Sequence, residues 1–174
     1  DNNKVRKLHL PTNGYTTKKI INDTKRMLQE LPELQINIGI SLDALYEKHD
    51  FISKRVGAFK KAIETQELLI KLEKKHHNLS TKFYTVLSND NFEGTNKLFE
   101  YIVNKFGFEK IGFSPLRGDP ANPSLKSPTV NEWDQLFRMY KKYEKFNSLD
   151  IKQFLLNRKI NNIYKINRKV LSGN

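Results

Sequence analysis

Apolar and polar residues recur along this chain with two different periods, and segments of the two kinds alternate. Short segments with apolar residues at every second position are each followed by a longer segment whose apolar residues recur every three or four positions. The short segments predict β-strands over residues 5–11, 34–42, 81–87 and 110–116. Regular alternation of strand and helix predicts an α/β fold with a parallel sheet, because parallel neighbours need a crossover that a helix usually supplies.

The longer segments predict the helices between and after these strands. One helix follows the first strand, a second covers 57 to about 75, and a third ends at Gly107, a residue type that often terminates helices. A loop rich in Pro and Gly then leads to a helix carrying Trp133, and a last helix is predicted from about 149 to 170. Four strand–helix units are compatible with a small open sheet or with half of an eight-fold barrel.

The second predicted strand has two chemically different faces. One face is apolar and the other is small and polar; they carry Leu34, Ile36, Ile38, Ile40 and Leu42, against Gln35, Asn37, Gly39, Ser41 and Asp43. A strand in a doubly wound sheet is apolar on both faces, because helices cover both. This strand therefore predicts a curved, barrel-like sheet with a ligand in its lumen. The fourth strand repeats the pattern, with Gly112 and Ser114 opposite its apolar residues.

Polar residues also collect where the predicted strands end. Ligands of parallel sheets bind at the carboxyl ends of the strands. Those ends are Thr12–Asn13–Gly14, Ser41–Leu42–Asp43, 85–91 and 114–117. Taken alone, Asn13–Gly14 is also a common turn sequence. The recurrence at four strand ends predicts a binding site at this edge of the sheet.

Composition and charge narrow the function classes. Charged residues make up 29% of the chain and its net charge is +12, which is compatible with nucleic acid or another acidic partner. The lysines are spread over every predicted helix, however, and a nucleic-acid footprint needs clustering. No apolar run approaches the ~20 residues of a membrane span, and we predict a cytoplasmic protein without membrane contact. The chain has no cysteine, which excludes disulfides and thiolate metal sites within it.

Two arrangements of polar residues resemble catalytic sites only superficially. Ser41 with His49 as its base would suggest a hydrolase, but the second glycine of the G-x-S-x-G elbow is missing and no helix starts directly after the serine. The adjacent His76 and His77 follow a lysine-rich helix end, where cations interact favourably with the helix dipole. We interpret the two histidines as a solvated helix terminus.

The motifs at the four strand ends form an ordered series. They read TNG, ISLDALYEKHD, TVLSNDN and FSPLRGDP. This series resembles the radical S-adenosylmethionine (radical SAM) superfamily, particularly members with a downstream SPASM-type domain, and the likeness extends from about residue 8 to 136. It implies a partial (β/α)6 TIM-like barrel. Residues 1–147 would supply its third to sixth strands, and 148–174 would form a C-terminal helix leading towards an auxiliary domain.

The resemblance also implies cofactors and partners. Family members hold a 4Fe–4S cluster through three cysteines, cleave SAM reductively at that cluster, and so start radical chemistry on a substrate. This chain would then be the middle of a longer enzyme, with the iron–sulfur ligands outside these residues and no metal bound by them. A peptide or protein substrate and an electron donor are the implied partners.

Individual residues carry the resemblance. The SAM-binding positions correspond to Thr12, Asn13, Gly14, Ser41, Arg55, Asn91 and Leu116. Asp43 corresponds to the substrate-facing aspartate, the implied catalytic position, and the His49–Asp50 pair is expected to anchor the loop that follows it. Ser53 stands where the family often has arginine, so Arg55 is expected to substitute for it, and Ala44 replaces a usual glycine.

Two other functions are compatible with the sequence. A relative without a cluster could keep the barrel and act as a binding or scaffold protein, which the Ser53 position favours. A basic α/β domain that binds nucleic acid is the second alternative. An exposed edge of a part-barrel sheet would also favour an oligomer.

Overall fold

The strands and helices alternate in the predicted order. The computed structural model describes residues 5–143 and 151–173, with the backbone alone for 151–156. The elements are β1 (Lys7–Thr12), α1 (Thr17–Glu30), β2 (Gln35–Ser41), α2 (Tyr46–Ser53), α3 (Ala58–Glu73), β3 (Leu79–Leu87), α4 (Thr95–Phe106), β4 (Ile111–Pro115), α5 (Val130–Lys142) and α6 (Ile151–Ser172). The predicted α/β fold is therefore confirmed.

The four strands form one parallel sheet whose order follows the chain, β1-β2-β3-β4. β1 pairs with β2 and β2 with β3 in parallel, with Thr12 opposite Ile40 and Ser41 opposite Tyr84. A doubly wound sheet reverses its strand order at a switch point. Among the described strands there is no such reversal, and each connection steps to the next strand in the same direction.

The chain divides into two compact units. The first unit contains the residues up to Thr85 together with Lys110–Gly112, and the second contains Val86–Glu109 and the residues from Phe113 onward. In the first unit the helix-facing side of the sheet is mainly apolar and is buried in β2 and β3, with Ile36, Ile40 and Phe83 at 0% exposure. Helix α3 covers this side, since Gln66 Nε2 donates to Thr81 Oγ1 of β3 over 3.3 Å.

The core of the second unit is aromatic. Phe99 of α4 is fully buried, and its ring lies 4.8 Å from that of Tyr140 and 6.2 Å from that of Phe113. Helices α5 and α6 pack through stacked rings of Phe137 and Tyr164, whose centroids are 3.8 Å apart. Thr129 and Glu132 form a capping box at the start of α5, which satisfies backbone donors there.

The observed elements differ from the predicted ones mainly at their ends. β3 begins two residues before the predicted 81, and Gly107 ends α4 as predicted, its N–H donating to the carbonyl of Val103. Helix α2 was not predicted, because His49 is its one buried residue and no apolar stripe marks it. The predicted boundary at 147/148 lies outside the described residues. In the described part of the chain, every helix is too short or too polar to span a bilayer.

Candidate functional site

The turn after β1 is built by its own side chains. Thr12 Oγ1 accepts a hydrogen bond from the N–H of Gly14 (3.2 Å), and Asn13 Oδ1 accepts one from the N–H of Tyr15 (3.0 Å). Gly14 has φ of 71°, in the left-handed region that glycine adopts without strain. The threonine and the asparagine therefore shape the turn, and their predicted contacts with SAM stay predictions.

Gly14 also joins this turn to helix α3. A Cβ atom at Gly14 would lie 2.9 Å from both Ala62 Cα and Ile40 Cγ2, closer than real Cβ atoms approach. The Gly14 carbonyl accepts a 2.6 Å hydrogen bond from the buried hydroxyl of Thr65, which also lies 2.8 Å from the hydroxyl of Thr17. Close helix packing thus requires glycine here, a role that the sequence motif does not reveal.

The end of β2 places Ser41 and Asp43 in the same unit as this turn. Ser41 is half-buried and its hydroxyl has no hydrogen-bond partner among the described residues. Asp43 is half-buried, and its backbone N–H donates to Nδ1 of His49 over 3.2 Å. That bond uses Nδ1 of His49 to hold the backbone just after β2.

Asp50 of the His49–Asp50 pair anchors the following loop, as predicted, whereas His49 bonds the preceding segment at Asp43. Both carboxylate oxygens of Asp50 accept backbone hydrogen bonds, from Gly57 at 2.6 Å and from Phe59 at 2.8 Å. The bond from Phe59, with those from Gly57 and Ala58, holds the pKa of Asp50 below its usual value. Burial lowers the pKa of His49, and the charge of Asp50 offsets part of that shift. At neutral pH the pair is therefore a carboxylate beside an uncharged imidazole.

Arg55 lies at the same edge, next to the first turn. Its guanidinium carbon is 4.5 Å from the ring centroid of Tyr15, and the hydroxyl of Tyr15 donates to the carbonyl of Val56. Arg55 itself is exposed. Six of the predicted residues are thus in the first unit. Five lie at the carboxyl ends of β1 and β2, and one lies in the loop between α2 and α3: Thr12, Asn13, Gly14, Ser41 and Asp43, and Arg55.

The other two predicted residues belong to the second unit. Asn91 is buried and uses its amide locally: Oδ1 accepts from the N–H of Ser88, and Nδ2 donates to the carbonyl of Val86. The N–H of Leu116 donates to the carbonyl of Leu87, and its own carbonyl accepts from the hydroxyl of Ser127. Both residues have a visible role in holding the strand ends, and neither predicted SAM contact is tested by this geometry.

The polar face of the sheet, opposite the side that α3 covers, contains residues that the sequence reasoning missed. Tyr84 of β3 lies against Gly39 of β2, and the ring of His9 meets it edge-on at 5.3 Å. Lys82 Nζ lies 4.7 Å from the centroid of the Tyr84 ring. Alternation along β3 contained the signal, since Lys82 and Tyr84 share the face opposite the buried Thr81, Phe83 and Thr85.

The residues present do not fit an iron–sulfur cluster. The 174 residues include no cysteine, and the described residues contain no group of three or more His, Asp or Glu side chains that could hold a metal ion. Clusters of this kind need thiolate ligands. Any cluster would therefore need ligands from outside this sequence.

Comparisons with known proteins add no relative. No protein-family model, curated protein or solved structure matches this chain.

Proposed function

We propose that this chain is the central part of a radical SAM enzyme core, forming four strands of a partial (β/α)6 barrel. The observation that carries the proposal is a parallel sheet in chain order, with one face buried under helices and the other polar, small along β2 and β4 but carrying Lys82 and Tyr84 on β3. A part barrel requires an open parallel sheet in chain order, and a polar inner face is compatible with a ligand in its lumen. The motif series at its strand ends supports the family, and the proposed enzyme acts on a peptide or protein with an external electron donor.

The chain's own contribution would be to bind and orient SAM. Ser41 offers a hydroxyl that has no partner among the described residues and that can donate to or accept from the ribose or methionyl group. Arg55 offers a guanidinium for the carboxylate of SAM, and Asp43, two residues beyond Ser41, would face the substrate. When bound, SAM supplies the carbon–sulfur bond whose one-electron cleavage starts radical chemistry.

The test is a titration of this chain with SAM, in which backbone amide chemical shifts measured by NMR report binding. Millimolar SAM should shift the amides of Thr12–Gly14 and Ser41–Asp43 in a saturable way. Ser41→Ala should weaken binding by about two- to tenfold, the loss expected for one hydrogen bond. Ser80→Ala is the matched control, because Ser80 lies near the start of β3, where its hydroxyl donates to Asn37.

A second probe separates the two ends of the ligand. 5′-Deoxyadenosine lacks the methionyl group, so Arg55→Met should weaken SAM binding and leave that of 5′-deoxyadenosine unchanged. No shift at these amides with either probe would overturn the proposal, as would an equal loss in Ser41→Ala and Ser80→Ala. Binding of SAM by a parent protein that has no cysteine would favour the cluster-free scaffold alternative. Binding of single-stranded DNA with a steep salt dependence, in place of SAM, would favour the nucleic-acid alternative.

A further inference from the structure

One lysine lies on the polar face of the sheet without an anionic partner among the described residues. Lys82 is half-buried on β3, and within the described part of the chain its ammonium group makes no ion pair or hydrogen bond. Lys110 in the same unit shows the contrast, since its ammonium lies 2.7 Å from both carboxylate oxygens of Glu73. Lysine is rarely buried without a partner, because removing its charge from water is unfavourable.

The aromatic ring of Tyr84 lies next to this ammonium group. The Tyr84 ring is in contact with the backbone of two glycines: a Cβ at Gly39 would lie 2.6 Å from Tyr84 Cδ2, and one at Gly112 would lie 3.4 Å from Tyr84 Cε1. Gly39 pairs with Lys82 across the β2–β3 ladder. The absence of side chains at Gly39 and Gly112 leaves room for the flat ring, with Lys82 over it and His9 at its edge.

The charges around Lys82 have the same sign as its own. Burial, with repulsion from Lys7 and Lys110, lowers the pKa of Lys82. Lys110 is neutralised by Glu73, whereas no acidic side chain in the described part of the chain contacts Lys82. Asn37, on the same face of β2, accepts from Ser80 through its oxygen, and its amide nitrogen makes no hydrogen bond to a described residue. This face therefore offers hydrogen-bond donors and a positive charge.

We infer that Lys82, together with the Tyr84 ring beneath its ammonium group and the neighbouring His9, forms a binding site for an organic carboxylate. The ammonium group is a compact point charge that one carboxylate can neutralise, whereas phosphate sites usually combine several donors. The ring of Tyr84 would pack against the apolar body of the ligand. None of these three residues belongs to the proposed SAM site, so the inference does not depend on the radical SAM assignment.

Benzoate is a suitable probe because it joins a carboxylate to an aromatic ring. In the 174-residue chain, at an ionic strength held constant with sodium chloride, benzoate should shift the amides of Gly39 and Gly112 saturably. Benzamide, the uncharged counterpart of benzoate, should shift the backbone amide resonance of neither glycine. Lys82→Met keeps most of the side-chain volume and should weaken benzoate binding at least about tenfold, as expected for a charge-assisted hydrogen bond.

Lys105→Met is the matched control, because Lys105 also lies near an aromatic ring, 5.4 Å from that of Phe106, but on an exposed helix surface. The Lys105→Met variant should bind benzoate as tightly as the unchanged chain does. Lys82→Gln provides a second variant should Lys82→Met fold poorly. Equal shifts with benzoate and benzamide, or undiminished binding by the Lys82 variants, would overturn the site. Tighter binding of inorganic phosphate than of benzoate would overturn the carboxylate class.

Discussion

The carboxylate of Asp50 accepts a 2.6 Å hydrogen bond from the backbone N–H of Gly57, seven residues further along the chain. A second bond, of 2.8 Å, comes from Phe59. Gly57 is the N-cap of α3 and has no side chain with which to cap it. Asp50 thus serves as a remote cap, and it also closes the loop that presents Arg55 to Tyr15.

Asp50→Ala should lower the free energy of unfolding by about 1–2 kcal/mol, the usual cost of losing a helix cap. Urea unfolding at pH 7 measures this difference, and Asp23→Ala is the control because Asp23 is paired with Lys19 on an exposed face of α1. The pKa of Asp50 is depressed, so its contribution exists above its ordinary value of 3.8 and is lost as the pH falls through the lower folded value. A difference between Asp50→Ala and the unchanged chain that persisted in full below that folded value would contradict the capping role.

His49 should make stability depend on pH in a different window. Burial lowers its pKa below the ordinary 6.5, so the folded state binds this proton less readily than the unfolded state. Its contribution is therefore fully present above pH 6.5 and declines as the pH falls below that value. His49→Gln keeps an acceptor for the Asp43 N–H and should flatten the stability curve as the pH falls below 6.5. Parallel curves for the two proteins would show that His49 is not the titrating group.

Gly14→Ala should destabilise the fold far more than Gly57→Ala, although both glycines have positive φ. At Gly57 no atom beyond its two chain neighbours lies within 4 Å of the position that a methyl group would take, so only backbone strain of about 1 kcal/mol is expected. At Gly14 the methyl group would also collide with Ala62 and Ile40, which raises the expected cost to about 2–4 kcal/mol. Denaturant unfolding of both variants tests this, and equal losses would mean that α3 moves freely away from the turn.

Gly39→Ala should be costly because of one particular neighbour. The new methyl group would lie 2.6 Å from Tyr84 Cδ2, and overpacking of this kind costs about 1–3 kcal/mol. In a Tyr84→Ala background the same change should cost little, so a double-mutant cycle should reveal coupling. Gly112→Ala, at an ordinary contact distance of 3.4 Å from the same ring, is the milder control. Additive effects of Gly39→Ala and Tyr84→Ala would rule out the ring position described.

The Glu73–Lys110 ion pair should stabilise the fold, whereas either charge left without the other should destabilise it. The two side chains are 23% and 11% exposed, so solvent screens a single remaining charge poorly. Breaking such a pair costs up to about 3 kcal/mol, and Lys110→Met should therefore be strongly destabilising. Glu73→Gln/Lys110→Met removes both charges and keeps an acceptor for the Thr81 hydroxyl, so it should be more stable than Lys110→Met alone. Urea unfolding of the single and double variants provides the comparison, and additive losses would contradict coupling of the two charges.

Part of the candidate site could be predicted from the sequence and part could not. Ser41 and Asp43 were predicted at a strand end because the alternation along β2 places them there, and β2 does end at Ser41. The local use of the Asn91 amide was not foreseen, since a motif letter does not reveal which backbone groups need a partner. Helix α2 was missed because its sequence carries no buried apolar stripe, and its position is fixed instead by Asp50 and His49.

The sequence by itself determined the strand–helix alternation and the polarity of each sheet face, because both arise from periods of two and of three to four residues along the local backbone. It did not determine which distant side chains meet. Three contacts depend on how the elements pack. They are the contact of Gly14 with Ala62, the hydrogen bond from the Gly57 N–H to Asp50, and the contact of the Tyr84 ring with Gly39. Such contacts depend on distances between elements that no local pattern encodes, so only the tertiary structure decided them.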